Sequence, residues 1–320
     1  MKKVLISLFA VAAMVSCAND ELVELNQEAI DFSNAFIENT TKADDLSYSG
    51  TTPLEAFKVY GAVKGSAANY VTIFSDDAVT GTVGENVWSC ANKQYWIKDA
   101  SYAFGAVTNG TVATVGTDAT KNSFGLPATI TYDADETGTN DLLFAEATAT
   151  GKATGNEPVD FTFNHLLAQA WFTVTSNTEG GYEYTVSNIQ ITNLYQTGTY
   201  TTDGIYGDGV DNGTWAGTGT KSATDFGAIE SVSAANTSGK TNATKMLLIP
   251  TQDAYTVSFD VTLSKNSAVI DTYHKNIEVT TDLVKGNSYN FTIALSVGEQ
   301  IQFTVTSQPT WKSTTDVTVM

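Results

Sequence analysis

The most constraining feature of this chain is the repeated alternation of apolar and polar residues in short runs. Residues 255–261 and 289–293 place an apolar side chain at every second position, and Gly, Asn, Asp and Ser divide such runs along the sequence. Alternation with a period of two puts one face of a strand in a core and the other in water. Runs with the period of a helix are scarce. The pattern predicts an all-β fold of short, mainly antiparallel strands joined by turns.

The composition changes near the middle of the chain. Residues 147–158 carry no large apolar side chain, whereas about seven strand-like runs precede them and about eight follow. A chain of 320 residues is long enough for two domains of ordinary size, so we predict two tandem β-sandwiches. The predicted divisions are a signal peptide at 1–16, a tether and removable first strand at 17–42, domains at 43–155 and 156–298, and a C-terminal strand segment at 299–320.

The N-terminus has the layout of a secretory signal peptide. Lys2 and Lys3 precede an apolar run at residues 4–15, and the small residue Ser16 stands directly before Cys17. A cysteine at this place resembles the lipobox of bacterial lipoproteins, in which it is acylated and becomes the first mature residue. An ordinary signal peptide with an incidental cysteine is the alternative. The apolar run is too short for a permanent membrane span, so we predict a lipid anchor at Cys17 in the outer membrane.

The charge of the chain excludes one class of partner. The formal net charge is -19, and removal of Lys2 and Lys3 with the signal peptide makes it -21 (-19 minus 2). Because such a charge repels phosphate groups, we predict no binding to nucleic acid. Only two cysteines are present, so a lipidated Cys17 leaves Cys90 without a disulfide partner.

Chemistry that would indicate an enzyme is sparse in this sequence. His165 and His274 are the only histidines, and their separation does not suggest a metal pair. The sequence contains no nucleophile elbow, HExxH motif, P-loop or dinucleotide fingerprint, and no pair among its many carboxylates stands out. We predict no enzyme activity, no metal site and no cofactor.

Several segments, spread from end to end, resemble the Bacteroidales fimbrillin family, the lipoprotein pilins of surface fimbriae. Each segment is weakly specific by itself, but their order covers nearly the whole chain. They are Cys17, Ile30-Asp31-Phe32-Ser33, Lys93-Gln94-Tyr95-Trp96, Asp141-Leu142-Leu143-Phe144-Ala145, Phe161-Thr162-Phe163-Asn164-His165-Leu166-Leu167-Ala168, Met246-Leu247-Leu248-Ile249-Pro250, Lys285-Gly286-Asn287-Ser288-Tyr289 and Trp311.

The resemblance implies a fold and a mechanism of assembly. The fold would be two transthyretin-like β-sandwich domains. In the family, a protease cuts the lipidated precursor after a basic residue near the start of the first domain, which releases the first strand. A C-terminal strand of the next subunit then fills the groove, so that subunits join head to tail into fimbriae. The implied partners are other pilin subunits, and the implied location is the cell surface.

The sequence supplies candidates for the removable strand and for the cut. Ile30, Phe32 and Phe36 form an apolar stripe at residues 29–37, and the bond between Lys42 and Ala43 follows in a segment without large apolar residues. Such a segment is open to proteolysis. Well-known family members are cut after arginine, whereas this chain contains no arginine. The prediction therefore requires a protease that accepts lysine.

The C-terminal segment supplies candidates for the donated strand. The alternation is without fault from 301 to 306, and further apolar residues follow to the last positions. An inserted strand would add main-chain hydrogen bonds and remove an exposed sheet edge. The candidate donor residues are Ile301, Phe303, Val305, Trp311, Val317 and Val319.

Two alternatives to a polymerising subunit stay open at this point. The C-terminal alternation also fits an ordinary edge strand of the chain's own domain. In addition, a monomeric surface lipoprotein, or a fimbrial tip or anchor subunit, could bind a glycan or host ligand. The candidate binding segment is 203–220, where Trp215 stands in a glycine-rich, loop-like setting.

Overall fold

The computed structural model describes residues 28–37, 56–82, 87–134, 141–206, 212–236, 238–242, 245–298 and 300–308. These residues form nineteen β-strands and no α-helix, so the predicted all-β class is confirmed. None of them lies in a helix long and apolar enough to cross a membrane.

The strands follow one another closely along the chain. The first nine are β1 (Phe32–Ile37), β2 (Ala56–Lys64), β3 (Val71–Thr82), β4 (Val87–Cys90), β5 (Ser101–Thr108), β6 (Thr111–Val115), β7 (Pro127–Asp133), β8 (Leu143–Thr150) and β9 (Val159–His165). The other ten are β10 (Ala168–Ser176), β11 (Tyr182–Thr201), β12 (Thr214–Asp225), β13 (Ile229–Val232), β14 (Lys240–Thr241), β15 (Met246–Leu248), β16 (Tyr255–Lys265), β17 (Ala268–Val279), β18 (Ser288–Leu295) and β19 (Gln302–Gln308).

Seven strands close into a barrel in the order β1-β4-β3-β2-β5-β8-β9. Neighbouring strands are antiparallel except for β1 and β9, which are parallel. Strand β5 shows how alternation builds this wall. Tyr102 and Phe104 belong to the barrel's own core, whereas Ala103 and Val107 on the opposite face belong to a separate core cluster. Both faces of β5 are therefore buried, and another layer covers the barrel at this side.

The other strands form two sheets that share a core. One sheet has the order β14-β10-β18-β19 with β15 beside β10, and the second has the order β17-β16-β11-β7-β6 with β12 and β13 beside β11. Phe172 and Phe291 from the first sheet and Phe259 from the second lie in one cluster. Strand β16 contributes to it from alternate positions, as the sequence predicts, because one strand face is buried and the other is wetter.

The long strand β11 connects the two ends of the second sheet. Its first part pairs with β16 and its last part pairs with β7. Asn188 and Asn193 have positive φ angles of 51° and 69°, and both lie where the pairing of β11 shifts register. Asparagine tolerates this left-handed conformation better than most residues. The two asparagines therefore accommodate the register shifts of β11 against β16 and β12.

Strand pairing crosses the predicted domain boundary between residues 155 and 156 in both directions. Strand β9 follows the boundary and completes the barrel, whereas β7 precedes it and pairs with β11. A core cluster that includes Tyr60, Phe144 and Tyr200 joins the outer face of the barrel to β7 and β11. The division into domains at 43–155 and 156–298 stays a prediction.

Candidate assembly strands

The predicted removable strand forms part of the barrel wall. Strand β1 lies between β4 and β9, and the side chains of Ile30 and Phe32 are only 2% and 3% exposed. The backbone of Phe36 pairs with Thr162, and the side chain of Phe36 lies outside the described part of the chain. The structure therefore brings two of the three predicted residues, Ile30 and Phe32, into the barrel core.

Phe32 lies at the centre of an aromatic cluster inside the barrel. Its ring is stacked on that of Phe161, with the ring centroids 5.9 Å apart. Three more rings from other strands contact it edge-on, and their centroids lie 5.6 Å (Phe74), 6.2 Å (Phe57) and 6.5 Å (Phe104) from that of Phe32. Such aromatic pairs stabilise a core beyond the area that they bury.

Strand β1 pairs with two neighbours in the barrel. Within the described residues, which omit 83–86 just before β4, four residue pairs join β1 to β9 and one pair, Phe32–Trp88, joins it to β4. Upstream of β1, the Ile30 amide donates to the Gln94 carbonyl at 2.8 Å. In the described part of the chain, the barrel closes through β1, which lies between β4 and β9.

Glu28 binds to the loop that leads into β9. One of its carboxylate oxygens accepts a hydrogen bond from the Gly155 amide at 2.8 Å, and the other accepts from the Asn156 amide at 2.7 Å and from Asn156 Nδ2 at 2.8 Å. These bonds, led by those from the Asn156 and Gly155 amides, lower the pKa of Glu28 below its ordinary value. Glu28 thus attaches the start of the first-strand segment, residues 28–37 with β1, to the loop that leads into β9 of the barrel.

The contact of Glu28 is not visible in the sequence, because residues 17–28 have the polar, acidic composition of a tether. The one sequence feature that indicates an anion site is the Gly155-Asn156 pair, which lies more than a hundred residues after Glu28. Glycine permits a left-handed backbone conformation, in which successive amides are exposed and can bind one anion. Gly155 has a φ angle of +69°, and a Cβ atom added there would meet no atom within 4 Å. Backbone conformation, rather than crowding, is therefore the constraint at this glycine.

We expect Glu28→Gln to lower the thermal unfolding midpoint of the full chain at about pH 7, with a smaller difference at about pH 3. The folded-state pKa lies below the ordinary 4.5. The stabilisation is therefore complete above the ordinary pKa and is lost as the pH falls through the lowered value. Melting curves of both proteins across this range test the expectation. Glu157→Gln, which changes an exposed carboxylate of the same loop, is the matched control, and an equal difference at both pH values contradicts the assignment.

Two of the predicted donor residues, Phe303 and Val305, lie on β19, an edge strand in the described part of its sheet, and Ile301 directly precedes this strand. Seven residue pairs join β19 to β18. Ile301, Phe303 and Val305 are partly buried against the core that the two sheets share, and the Phe303 ring lies 6.2 Å from that of Phe291. These three residues thus occupy a place in the chain's own fold. The other predicted site residues, Cys17, Lys42, Ala43, Trp311, Val317 and Val319, lie outside the described residues.

The loop-like setting predicted for Trp215 is wrong. Trp215 is a residue of β12, where it pairs with Tyr200 of β11. Its Nε1 donates to the Leu166 carbonyl at 2.7 Å, and its ring lies 5.5 Å from that of Tyr200. The nearby glycine that suggested a loop has a packing reason, because a Cβ atom on Gly217 would stand 2.0 Å from the Tyr195 ring. Trp215 therefore packs within the fold and does not form an open sugar platform.

Both histidines have carboxylate partners of their own. His165 Nδ1 lies 2.5 Å from an Asp141 carboxylate oxygen, and both side chains are buried. Burial raises the pKa of Asp141, against the opposing effect of His165. His274 Nδ1 lies 2.6 Å from Asp260 on the exposed side of β16 and β17. Within the described residues, no three His, Cys, Asp or Glu side chains are grouped to hold a metal.

The chain belongs to the fimbrillin-like family, whose model matches residues 24–309. The crystal structure of a fimbrial protein from Bacteroides vulgatus matches with a TM-score of 0.59 at 16% identity, covering 89% of this chain and 99% of that chain. The structure of a candidate cell adhesion protein from Bacteroides ovatus matches with a TM-score of 0.50 at 14% identity, covering 88% and 96%. At these identities the likeness shows a shared fold. No curated protein matches the chain.

Proposed function

We propose that the chain is a structural subunit of adhesive surface fimbriae. It is exported as an outer-membrane lipoprotein acylated at Cys17, is cut between Lys42 and Ala43, and polymerises head to tail by donor-strand exchange. Membership of the fimbrillin-like family and the shared fold with a fimbrial protein support this role. Its partners are further copies of the chain or accessory pilins, and its mature location is the fimbria.

The observation that carries the proposal is the position of Phe32. This residue lies before the predicted cut and fills the centre of a barrel whose other strands follow the cut. Loss of β1 would open the barrel between β4 and β9 and expose the rings of Phe57, Phe74 and Phe161 to water. An apolar groove with two unpaired strand edges is a ready acceptor for an added strand.

The donated segment comes from the C-terminal strand in this proposal. Full burial of each of Ile301, Phe303 and Val305 in another subunit contributes roughly 1.5–3 kcal/mol relative to full exposure. Their present partial burial against the core of the chain's own sheets reduces that gain. The joint is heterologous and does not close on itself, so repeated joining produces a fibre.

A tip, anchor or monomeric role is the second candidate function. The seven-residue ladder between β19 and β18 favours it, because a strand held in its own sheet is not free for donation. Such a subunit would keep both its first strand and its lipid anchor. It would bind a glycan or host ligand of unknown identity.

The test is the intact mass and assembly state of chains released from the cell surface. We expect wild-type chains to begin at Ala43, to carry no lipid and to migrate as a ladder of polymers, whereas Lys42→Gln leaves a lipidated monomer that begins at Cys17. Lys98→Gln, which changes an exposed lysine, is the control and should polymerise. Lipidated wild-type monomers would overturn the stalk role and support the anchor or monomer.

A further inference from the structure

The first-strand segment and the C-terminal segment share a sequence pattern. Glu28-Ala29-Ile30-Asp31-Phe32 and Glu299-Gln300-Ile301-Gln302-Phe303 both read Glu-x-Ile-x-Phe, and the pattern occurs at no third place in the chain. A near match with valine, at residues 157–161, leads into β9. Strand β9 is held between β8 and β1 in the barrel, so it is not a candidate for donation.

The acid of the first copy of this pattern is bound in a site built by the loop Lys152–Asn156. This carboxylate-binding loop directs two successive backbone amides and one side-chain amide at Glu28, at 2.7–2.8 Å. The Lys152 amide donates to Asn156 Oδ1 at 2.7 Å, which holds the loop in shape. Backbone amides in this arrangement bind an anion without a dedicated cation, which suits a chain with 16 basic and 35 acidic residues.

The spacing from the acid to the apolar residues fixes where the strand starts. With Glu28 in the loop, Ile30 and Phe32 enter the barrel core at 2% and 3% exposure. A slip of one residue would send both side chains to the opposite face of the sheet. The carboxylate contact therefore sets the register of the segment that occupies this groove.

We propose that the carboxylate-binding loop selects the incoming strand, taking Glu28 in the precursor and Glu299 of a second copy in the fibre. The proposal rests on the proposed function above. It assigns Ile301 and Phe303 of the second copy to the places of Ile30 and Phe32. Both donor side chains are only partly buried in their own sheet, so the transfer increases their burial. Glu299 lies outside the described residues, and its part in the proposal comes from sequence spacing.

The test measures the binding of labelled ten-residue peptides to the full chain after cleavage at Lys42, by fluorescence anisotropy. The parent peptide has the sequence of residues 299–308. A second peptide carries Glu299→Gln. The third, with Glu299→Gln and Gln300→Glu, keeps the composition and charge of the parent and moves the acid by one position. Since no peptide experiment changes the protein, these arms do not depend on a variant that folds.

We expect the parent peptide to bind the cut chain, and both altered peptides to bind roughly tenfold more weakly, since one charge-assisted contact is lost. In the protein, Asn156→Asp should weaken binding of the parent peptide, because a carboxylate replaces the donating amide, and Glu299→Gln should then no longer weaken binding, because it removes the like-charge repulsion. Equal binding of the parent and shifted peptides overturns the register proposal while strand exchange stands. Failure of all peptides to bind the cut chain overturns strand exchange itself.

Discussion

Replacing Phe32 with alanine is expected to lower the free energy of unfolding of the full chain by about 3–5 kcal/mol. The ring is almost fully buried and contacts four other aromatic rings of the barrel. Removing it leaves a cavity that the surrounding strands cannot fill without moving. Urea unfolding should show a lower midpoint with little change in slope.

Tyr95→Ala is the matched control for this substitution. It also removes an aromatic ring near the first strand, but Tyr95 is 48% exposed. Its cost should stay below about 1 kcal/mol, as for other exposed positions. A cost for Phe32→Ala no larger than that of Tyr95→Ala would show that the first-strand segment does not fill the barrel.

His165→Ala is expected to cost about 3–5 kcal/mol near neutral pH, because it leaves the fully buried carboxylate of Asp141 without its partner at 2.5 Å. In this variant, burial alone acts on Asp141 and raises its pKa. A raised carboxyl pKa gives stability that is complete below the unfolded-state pKa and is lost as the pH rises through the folded-state value. The variant should therefore recover stability on acidification.

Urea unfolding at about pH 4 and about pH 7 measures this effect. The control Asp141→Asn/His165→Ala keeps the shape of Asp141 and removes its charge, so it should be more stable than His165→Ala at neutral pH and should lack this part of the pH dependence. If His165→Ala loses less than about 1 kcal/mol at both pH values, the contact between Asp141 and His165 does not stabilise the fold.

Part of this structure is legible in the sequence because it depends on local pattern. Alternation in residues 255–261 predicts both the strand β16 and its buried face, since each side chain's direction follows from its position along the strand. The family segments at Asp141 and His165 were also visible. Their contact was not, because the two residues are 24 positions apart and meet only through the pairing of β8 with β9.

Trp215 and Glu28 show the opposite case. The glycines around Trp215 suggest a loop, whereas the close approach of the Tyr195 ring in the β11–β12 pair requires Gly217. Glu28 looks like part of a solvated tether, whereas its partners lie at Gly155 and Asn156. In both cases the deciding atoms come from a distant segment, which no local window contains.

The sequence by itself determined the all-β class, the apolar faces of the strands, and family membership through segments spread along the chain. Only the tertiary structure decided that β1 lies between β4 and β9, that Phe32 fills the barrel, and that β9 joins the barrel although it follows the predicted boundary. The physical reason is that strand faces follow from side-chain alternation within one segment. The choice of partner is made among many distant strands, and the entropy of loop closure changes too slowly with loop length to select one of them.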